Sequence, residues 1–347
     1  MKVFILGFKA RADVGSGIPR YTYELVNNLV KTAHENISIK LMEFGDNPKG
    51  FIFRWLKRSF FAVKTANVVA DVYHAVTPPL AWPLILARKK PVVVTVHDLF
   101  ILYPDLYHLT KIEYEYYRYV FNKCDLIIST AEYWKKDLVR YFGIAGEKIV
   151  VVPVGVDIER FKPLNITKSD DMKLVLYVGG LSREKGLGIL LKAFKLVVQE
   201  LLNVKLLVIG KGPHEAYFKG MAKEMEIASY VEFLGFVPER ELPRYYNMAD
   251  VFVYPSRTAF GLMLLEAMAC GTPVIGVKRF QVPEYVGDAA ILVEPNNIDQ
   301  LAKAILRVLT DANLQRSLRE KGLQIARSYS WERATRMTWK VYSLISK

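Results

Sequence analysis

The chain has 347 residues, 52% apolar and 24% charged, which is long enough for two ordinary domains and unlike the composition of a disordered polypeptide. The net charge of +13 is shared between residues 1–165 (+7) and the rest (+6), with no basic tail and no RNA- or DNA-binding motif, so nucleic acid is not expected as a partner. No window reaches the roughly 18 uninterrupted apolar residues of a membrane span, and residues 1–8 are too short, and too soon broken by Lys9 and Arg11, for a secretory signal. The two cysteines, Cys124 and Cys270, lie far apart in apolar runs and are expected as buried thiols in a reducing cytoplasm. No C-x-x-C, HExxH or histidine cluster suggests a metal site.

In chain order, residues 2–7, 38–44, 92–97, 126–130 and 149–153 read as strands, followed by 173–178, 205–209, 231–234, 251–254, 273–277 and 290–293. Several are apolar on both faces, as in a parallel sheet covered by helices. Helical patterns lie between them, at 21–33, 111–122, 188–200 and 214–225 among others. This alternation predicts an α/β fold of doubly wound sheets. It breaks over 157–171, which holds Pro163, Asn165 and Ser169 without periodicity, and resumes at Lys173. The expected organisation is a Rossmann-like domain over 1–160, a linker over 161–172 and a second such domain over 173–329. An amphipathic helix over 330–347, with Ser330 as its N-cap, is expected to return to the first domain.

Ligands of doubly wound sheets bind at the carboxyl ends of the strands. The first such loop is Val14-Gly15-Ser16-Gly17-Ile18-Pro19-Arg20, opening a helix at Tyr21. Its glycines and helix N-terminus suit an anion. Arg20 stands where a dinucleotide fingerprint needs a third glycine, and Gly15 lies too far past the strand, so a nicotinamide cofactor is disfavoured. A plain helix-entry turn is the alternative. His97, at the end of a strand, is placed to touch a ligand or to be a satisfied core histidine. In Gly179-Gly180-Leu181-Ser182-Arg183-Glu184-Lys185-Gly186, backbone amides with Arg183 and Lys185 suit a diphosphate; a solvated basic turn is the alternative. Farther on, Phe260-Gly261-Leu262-Met263 opens an apolar helix whose lone acid is Glu266. A buried carboxylate needs a hydrogen-bond partner, either a ribose diol or a structural group.

These sites, in this order, resemble family four of the retaining glycosyltransferases, which have the GT-B fold. The similarity extends over nearly the whole chain, through Pro153-Val154-Gly155-Val156-Asp157, Gly210-Lys211-Gly212-Pro213, Phe233-Leu234-Gly235-Phe236-Val237 and Tyr329-Ser330-Trp331-Glu332. The resemblance implies two Rossmann-like domains facing a cleft. It also implies transfer of a hexose from a nucleoside-diphosphate sugar to a glycan or lipid-linked hydroxyl, with no metal or other cofactor. His97, Lys185, Arg183 and Glu266 would be the reactive-centre residues. Gly17, Gly179, Gly180, Gly210, Phe236, Val237, Thr258, Phe260, Gly261, Leu262 and Met263 would hold the donor, and Ser16 and Arg20 would face the acceptor.

The chain departs from the family at several positions. Thr258 stands where a glutamate is usual, eight residues before Glu266, and Ala259 replaces the next glycine. Gly180 replaces an arginine, whose place Arg183 could take. Ser16 and Pro19 replace glycines. An epimerase or hydrolase on the same scaffold, or a non-catalytic nucleotide-sugar binder, are the other readings. Finally, residues 51–64 mix aromatics with cations, which predicts either peripheral contact with an anionic inner membrane face or an ordinary sheet-covering helix.

Overall fold

The computed structural model describes residues 1–8, 17–33, 37–44, 51–166, 171–258 and 261–346, without the side chains of 51–55. Two compact units are present: Met1–Gly155 with Trp331–Lys347, and Val156–Ser330.

The first unit alternates β1 (Lys2–Phe8), α1 (Gly17–Thr32), β2 (Ser38–Phe44), α2 (Phe51–Ala66), β3 (Val72–Ala75), α3 (Pro78–Leu86) and β4 (Val92–Val96). It continues through α4 (Lys111–Lys123), β5 (Leu126–Ser129), α5 (Glu132–Phe142) and β6 (Ile149–Val151). The second unit runs β7 (Lys173–Val178), α6 (Leu187–Glu200), β8 (Val204–Ile209), α7 (Glu215–Glu224), β9 (Val231–Gly235), α8 (Leu242–Met248) and β10 (Val251–Tyr254). It ends with α9 (Leu262–Ala269), β11 (Val274–Val277), α10 (Val282–Val286), β12 (Ala290–Val293), α11 (Ile298–Thr310) and α12 (Ala312–Ser328). The last helix, α13 (Trp331–Ile345), belongs to the first unit.

Each unit holds one six-stranded parallel sheet, ordered β2-β1-β3-β4-β5-β6 and β12-β11-β10-β7-β8-β9. All residues of β3, β4, β10 and β11 are buried, because helices cover both faces of the sheets. Strand order reverses between β1 and β3 in the first sheet and between β7 and β10 in the second. The crevices at the carboxyl ends of those pairs are the natural ligand positions.

Local chemistry sets several boundaries. Thr110 and Glu113 form a reciprocal capping box that starts α4. Gly143, at φ 66°, ends α5 in the left-handed region. Several boundaries differ from the sequence expectation, two of them for a clear local reason. Helix α1 begins at Gly17 rather than Tyr21, with Pro19 inside the first turn, where its missing N–H removes no helical hydrogen bond. Strand β6 stops at Val151, two residues short of Pro153, which has no N–H to give the ladder. Strand β3 is not visible in the sequence pattern: only four residues long, it carries a histidine in its interior.

Residues expected as linker make specific contacts in the second unit. The Phe161 side chain is fully buried, and the Leu164 amide donates to Asn247 Oδ1 at 2.7 Å. At the chain's passages between units, the Val156 amide donates to the Tyr329 carbonyl at 2.7 Å. Within the first unit, Gly155 lies so near the Trp331 backbone that any Cβ would collide with it.

Helix α13 is tied to the first sheet by a buried polar contact. Tyr342, fully buried, is 2.7 Å from His74 Nδ1 on β3, and His74 Nε2 is 2.8 Å from Thr95 Oγ1 on β4. Every polar atom in such a contact must be satisfied internally, which fixes the helix against the strand.

Candidate active site

The loops after β7, β8 and β10 meet at the switch point of the second sheet. The Gly179 amide donates to the Ile209 carbonyl at 2.9 Å, Leu181 to Lys211 at 3.1 Å and His214 to Leu181 at 3.0 Å. From the other side, the Arg257 amide donates to the Glu184 carbonyl at 3.1 Å. Backbone-to-backbone contact of this kind demands small residues. Gly210 has φ 137°, and a Cβ on it would overlap the Gly179 carbonyl oxygen. Gly210→Ala should therefore cost about 3 kcal/mol or more, since neither backbone can yield. A denaturant-unfolding midpoint within experimental error of wild type would contradict that packing.

In the same cluster, the ammonium of Lys185 donates to Thr258 twice, to Oγ1 at 3.1 Å and to the carbonyl oxygen at 3.2 Å. The Thr258 amide in turn donates to Ser256 Oγ at 3.1 Å. Sequence reasoning named Lys185 and Thr258 separately. Their direct contact, across 73 residues, comes only from the fold. Arg183 is exposed, with its guanidinium 5.2 Å from the Tyr217 ring centroid of α7. Burial pushes the Glu184 carboxyl upward. Its hydrogen bonds to Ser182 and its own amide, with the nearby Lys185 and His214, outweigh this and hold it below the ordinary value. Gly179 is half-buried and Gly180 exposed.

Helix α9 starts after Gly261, whose φ of 99° favours glycine and which lies against the Tyr285 ring. Leu262 is buried and Met263 half-buried, whereas Phe260, Ala259 and Ser16 lie outside the described residues. Glu266 is fully buried, and its Oε2 accepts from the hydroxyl of Tyr246 on α8 at 3.0 Å. Tyr246, also fully buried, packs edge-on against Phe252 and Phe161. Nothing in the local sequence pattern marks Tyr246 as the partner of Glu266, which lies 20 residues away on another helix. Beyond β9, Phe236 is exposed and Val237 buried.

In the first unit, Gly17 is exposed and Arg20 half-buried in the opening turn of α1. Tyr21, the next residue of that helix, meets the His97 ring edge-on, with centroids 4.4 Å apart. His97 follows β4, is 2% exposed, and its Nε2 donates to the Val76 carbonyl at 2.8 Å. Burial pushes the His97 imidazole down to about 4, so it is neutral at pH 7. His74 behaves alike, pushed down to about 3 by burial and then by proximity to His97. The sequence reading did not single out His74.

Both cysteines are buried free thiols, and burial pushes Cys124 up to about 12, so neither is a reactive thiolate. Among the described residues no three His, Cys, Asp or Glu side chains cluster as metal ligands, and no helix is long and apolar enough to cross a membrane.

Two family models divide the chain between them. Residues 15–160 match "Glycosyltransferase Family 4", and residues 159–324 match "Glycosyl transferases group 1". The O-antigen chain mannosyltransferase B of Escherichia coli is 28% identical over 272 residues, covering 74% of this chain and 71% of that one. The chain spans about half to three fifths of the length of several further curated relatives. Among solved structures, the sucrose-phosphate synthase of Thermosynechococcus elongatus superposes with a TM-score of 0.85 at 22% identity, covering 99% of this chain and 98% of that one. Anabaena HepE, solved in complex with UDP and glucose, superposes with a TM-score of 0.78 at 18% identity, covering 99% and 100%. At these identities the structures establish the fold.

Proposed function

The chain belongs to the family-four glycosyltransferases with the GT-B fold, and on that premise we propose which reaction it performs and with which residues. It transfers a hexose from a nucleoside-diphosphate donor to a hydroxyl of a glycan or lipid-linked acceptor, with retention at the anomeric carbon. The observation that carries this reading is the cluster at the β7/β10 switch point. There, glycine-backed loops bring Lys185 onto Thr258 beside the exposed Gly180. Departure of a nucleoside diphosphate leaves about two negative charges, and preorganised amides and cations lower the barrier by meeting that charge where it develops. Lys185 and Arg183 supply the cations, so the proposed step needs no metal.

In this reading the bond from the anomeric carbon to the phosphate oxygen breaks. The acceptor oxygen bonds to the same face of that carbon, and the acceptor's proton passes to the departing phosphate. Glu266 holds the ribose hydroxyls. A carboxylate accepts about four hydrogen bonds, and the one from Tyr246 fixes its orientation. Gly261, Leu262, Met263 and Phe260 line the donor, and Gly210, Phe236 and Val237 border the base. Gly17 approaches the donor, Ser16 and Arg20 the acceptor. His97, neutral at working pH, serves as a hydrogen-bonding group rather than a cation.

The test incubates the protein with UDP-, GDP- and ADP-linked hexoses and an acceptor panel, and reads the product's anomeric configuration by NMR. An inverted product, or no turnover with any pair, overturns the reading. Thr258 occupies the sugar half of the site, and a glutamate there offers donor hydroxyls a charged acceptor. Thr258→Glu is expected to raise affinity for common hexose donors about tenfold. An unchanged ranking of donors in equilibrium titrations removes Thr258 from the sugar contact.

A further inference from the structure

Three elements of the first unit meet at Tyr21, the residue of α1 that follows its opening turn, residues 17–20. Tyr21 is 2% exposed, which leaves it almost no surface for a ligand. Its ring lies edge-on to the His97 imidazole, with centroids 4.4 Å apart, and 5.6 Å from the ring of Trp331, which opens α13. Its hydroxyl hydrogen-bonds with that of Thr95 on β4, two residues before His97. Thr95 Oγ1 also meets His74 Nε2 at 2.8 Å, and a hydroxyl, with one hydrogen and two lone pairs, can serve both partners. The next residue of α1, Thr22, lies so close to Gly7 of β1 that a Cβ there would overlap it. The start of α1 is thus held on β1 by Thr22 and on β4 by Tyr21.

Packing alone does not call for a phenol here. Phenylalanine would bury the same ring between His97 and Trp331 with no polar atom to satisfy, whereas a buried hydroxyl costs free energy unless it is bonded. What the hydroxyl adds is direction. Its bond to Thr95 fixes where the ring stands, and the ring restrains the imidazole. The bond from His97 Nε2 to the Val76 carbonyl is the imidazole's second restraint.

We propose that Tyr21 is a positioning residue for sugar transfer: bonded to Thr95, it holds the His97 imidazole and the first turn of α1 in one fixed arrangement. The inference rests on the assignment of His97 and Gly17 to the donor. Misplacing such groups by about 1 Å costs up to about a hundredfold in rate.

The experiment is steady-state transfer by the full chain carrying Tyr21→Phe, Thr95→Val, both together, or Thr95→Ser. Tyr21→Phe should lower kcat about tenfold and move the donor KM by less than about twofold, since it loosens alignment and leaves the diphosphate and ribose contacts in place. Thr95→Val should do the same. The double variant should lose little more than either alone, because both substitutions cut one contact. Thr95→Ser keeps a hydroxyl and should recover most of the rate, and it still decides the matter with Tyr21→Phe if Thr95→Val fails to fold. Each protein is also labelled in its histidine ring nitrogens for NMR. The chain has five histidines, and the signal missing from His97→Gln identifies His97. That signal should be single in the wild type and in Thr95→Ser, and broadened or split in Tyr21→Phe as the ring samples further orientations. A lower melting temperature for Tyr21→Phe with kcat and the His97 signal unchanged assigns the phenol to packing and overturns the proposal. So do losses that multiply to about a hundredfold in the double variant. If the wild type transfers no sugar, the reading of the reaction fails. An unaltered His97 signal in Tyr21→Phe then overturns the positioning as well, whereas an altered one upholds it.

Discussion

Lys185→Ala is expected to lower kcat/KM for sugar transfer by two to three orders of magnitude, with little change in folding stability. The reason lies in when the charge is needed. Removing one preorganised donor from developing negative charge costs about 10²–10³ in rate, far more than its worth in the resting state. The two hydrogen bonds from Lys185 to Thr258 are half-buried, and water can replace them when the ammonium is lost. The two readouts therefore separate: steady-state transfer kinetics should collapse while the melting temperature moves by a few degrees at most. Lys185→Arg keeps the charge but not the compact ammonium geometry, and should recover only part of the loss. A Lys185→Ala enzyme within about tenfold of wild type would remove Lys185 from the reaction centre.

The second large effect is on stability against acid. His74 and His97 are buried and held neutral, at about 3 and about 4 against the ordinary 6.5, in both cases mainly by desolvation. Below pH 6.5 the unfolded chain takes up protons at these imidazoles that the folded chain refuses. The stabilisation is thus complete above 6.5 and is lost progressively as pH falls toward the folded values. At pH 5 each histidine is about 1.5 units below its unfolded midpoint. That corresponds to about 2 kcal/mol apiece, or about 4 kcal/mol together relative to pH 7. His97→Gln keeps an amide donor for the Val76 carbonyl and cannot titrate. Denaturation at pH 7 and pH 5 should show the variant losing about half as much as wild type. Equal losses would mean that carboxylates, not histidines, govern the acid limb. Comparing the two proteins cancels groups such as Asp137, whose carboxyl burial raises.

The acid limb also bears on where His97 acts. Its bond to Val76 ties it to the end of β3, the strand the sequence pattern did not disclose. Strands 173–178, 251–254 and 290–293 are legible to the residue because each is apolar on both faces and is bounded on one side by a glycine or an acidic residue, Gly179, Asp250 and Glu294. Strand β3 is four residues between Asp71 and the Val76-Thr77-Pro78 turn, and its His74 breaks the apolar run. That histidine is tolerated only because Thr95 and Tyr342 accept or donate at its two nitrogens. No window of sequence contains a partner 268 residues away. The orientation of α2 was likewise half-legible: its mixed aromatics and cations stood out, but which of them face solvent depends on α3 and α4 packing beneath it.

The sequence by itself determined the two doubly wound α/β sheets, the family, and the residue types of the donor loops. Those follow from local periodicity and from glycines and cations at strand ends, and both are short-range properties of the chain. The tertiary structure decided the pairings: Lys185 on Thr258, Glu266 on Tyr246, His97 on Val76 and Tyr21, and Gly210 against Gly179. The Glu266–Tyr246 pair joins α8 and α9, the helices on either side of β10, and the others join segments brought together because parallel strands of one sheet place their carboxyl ends side by side.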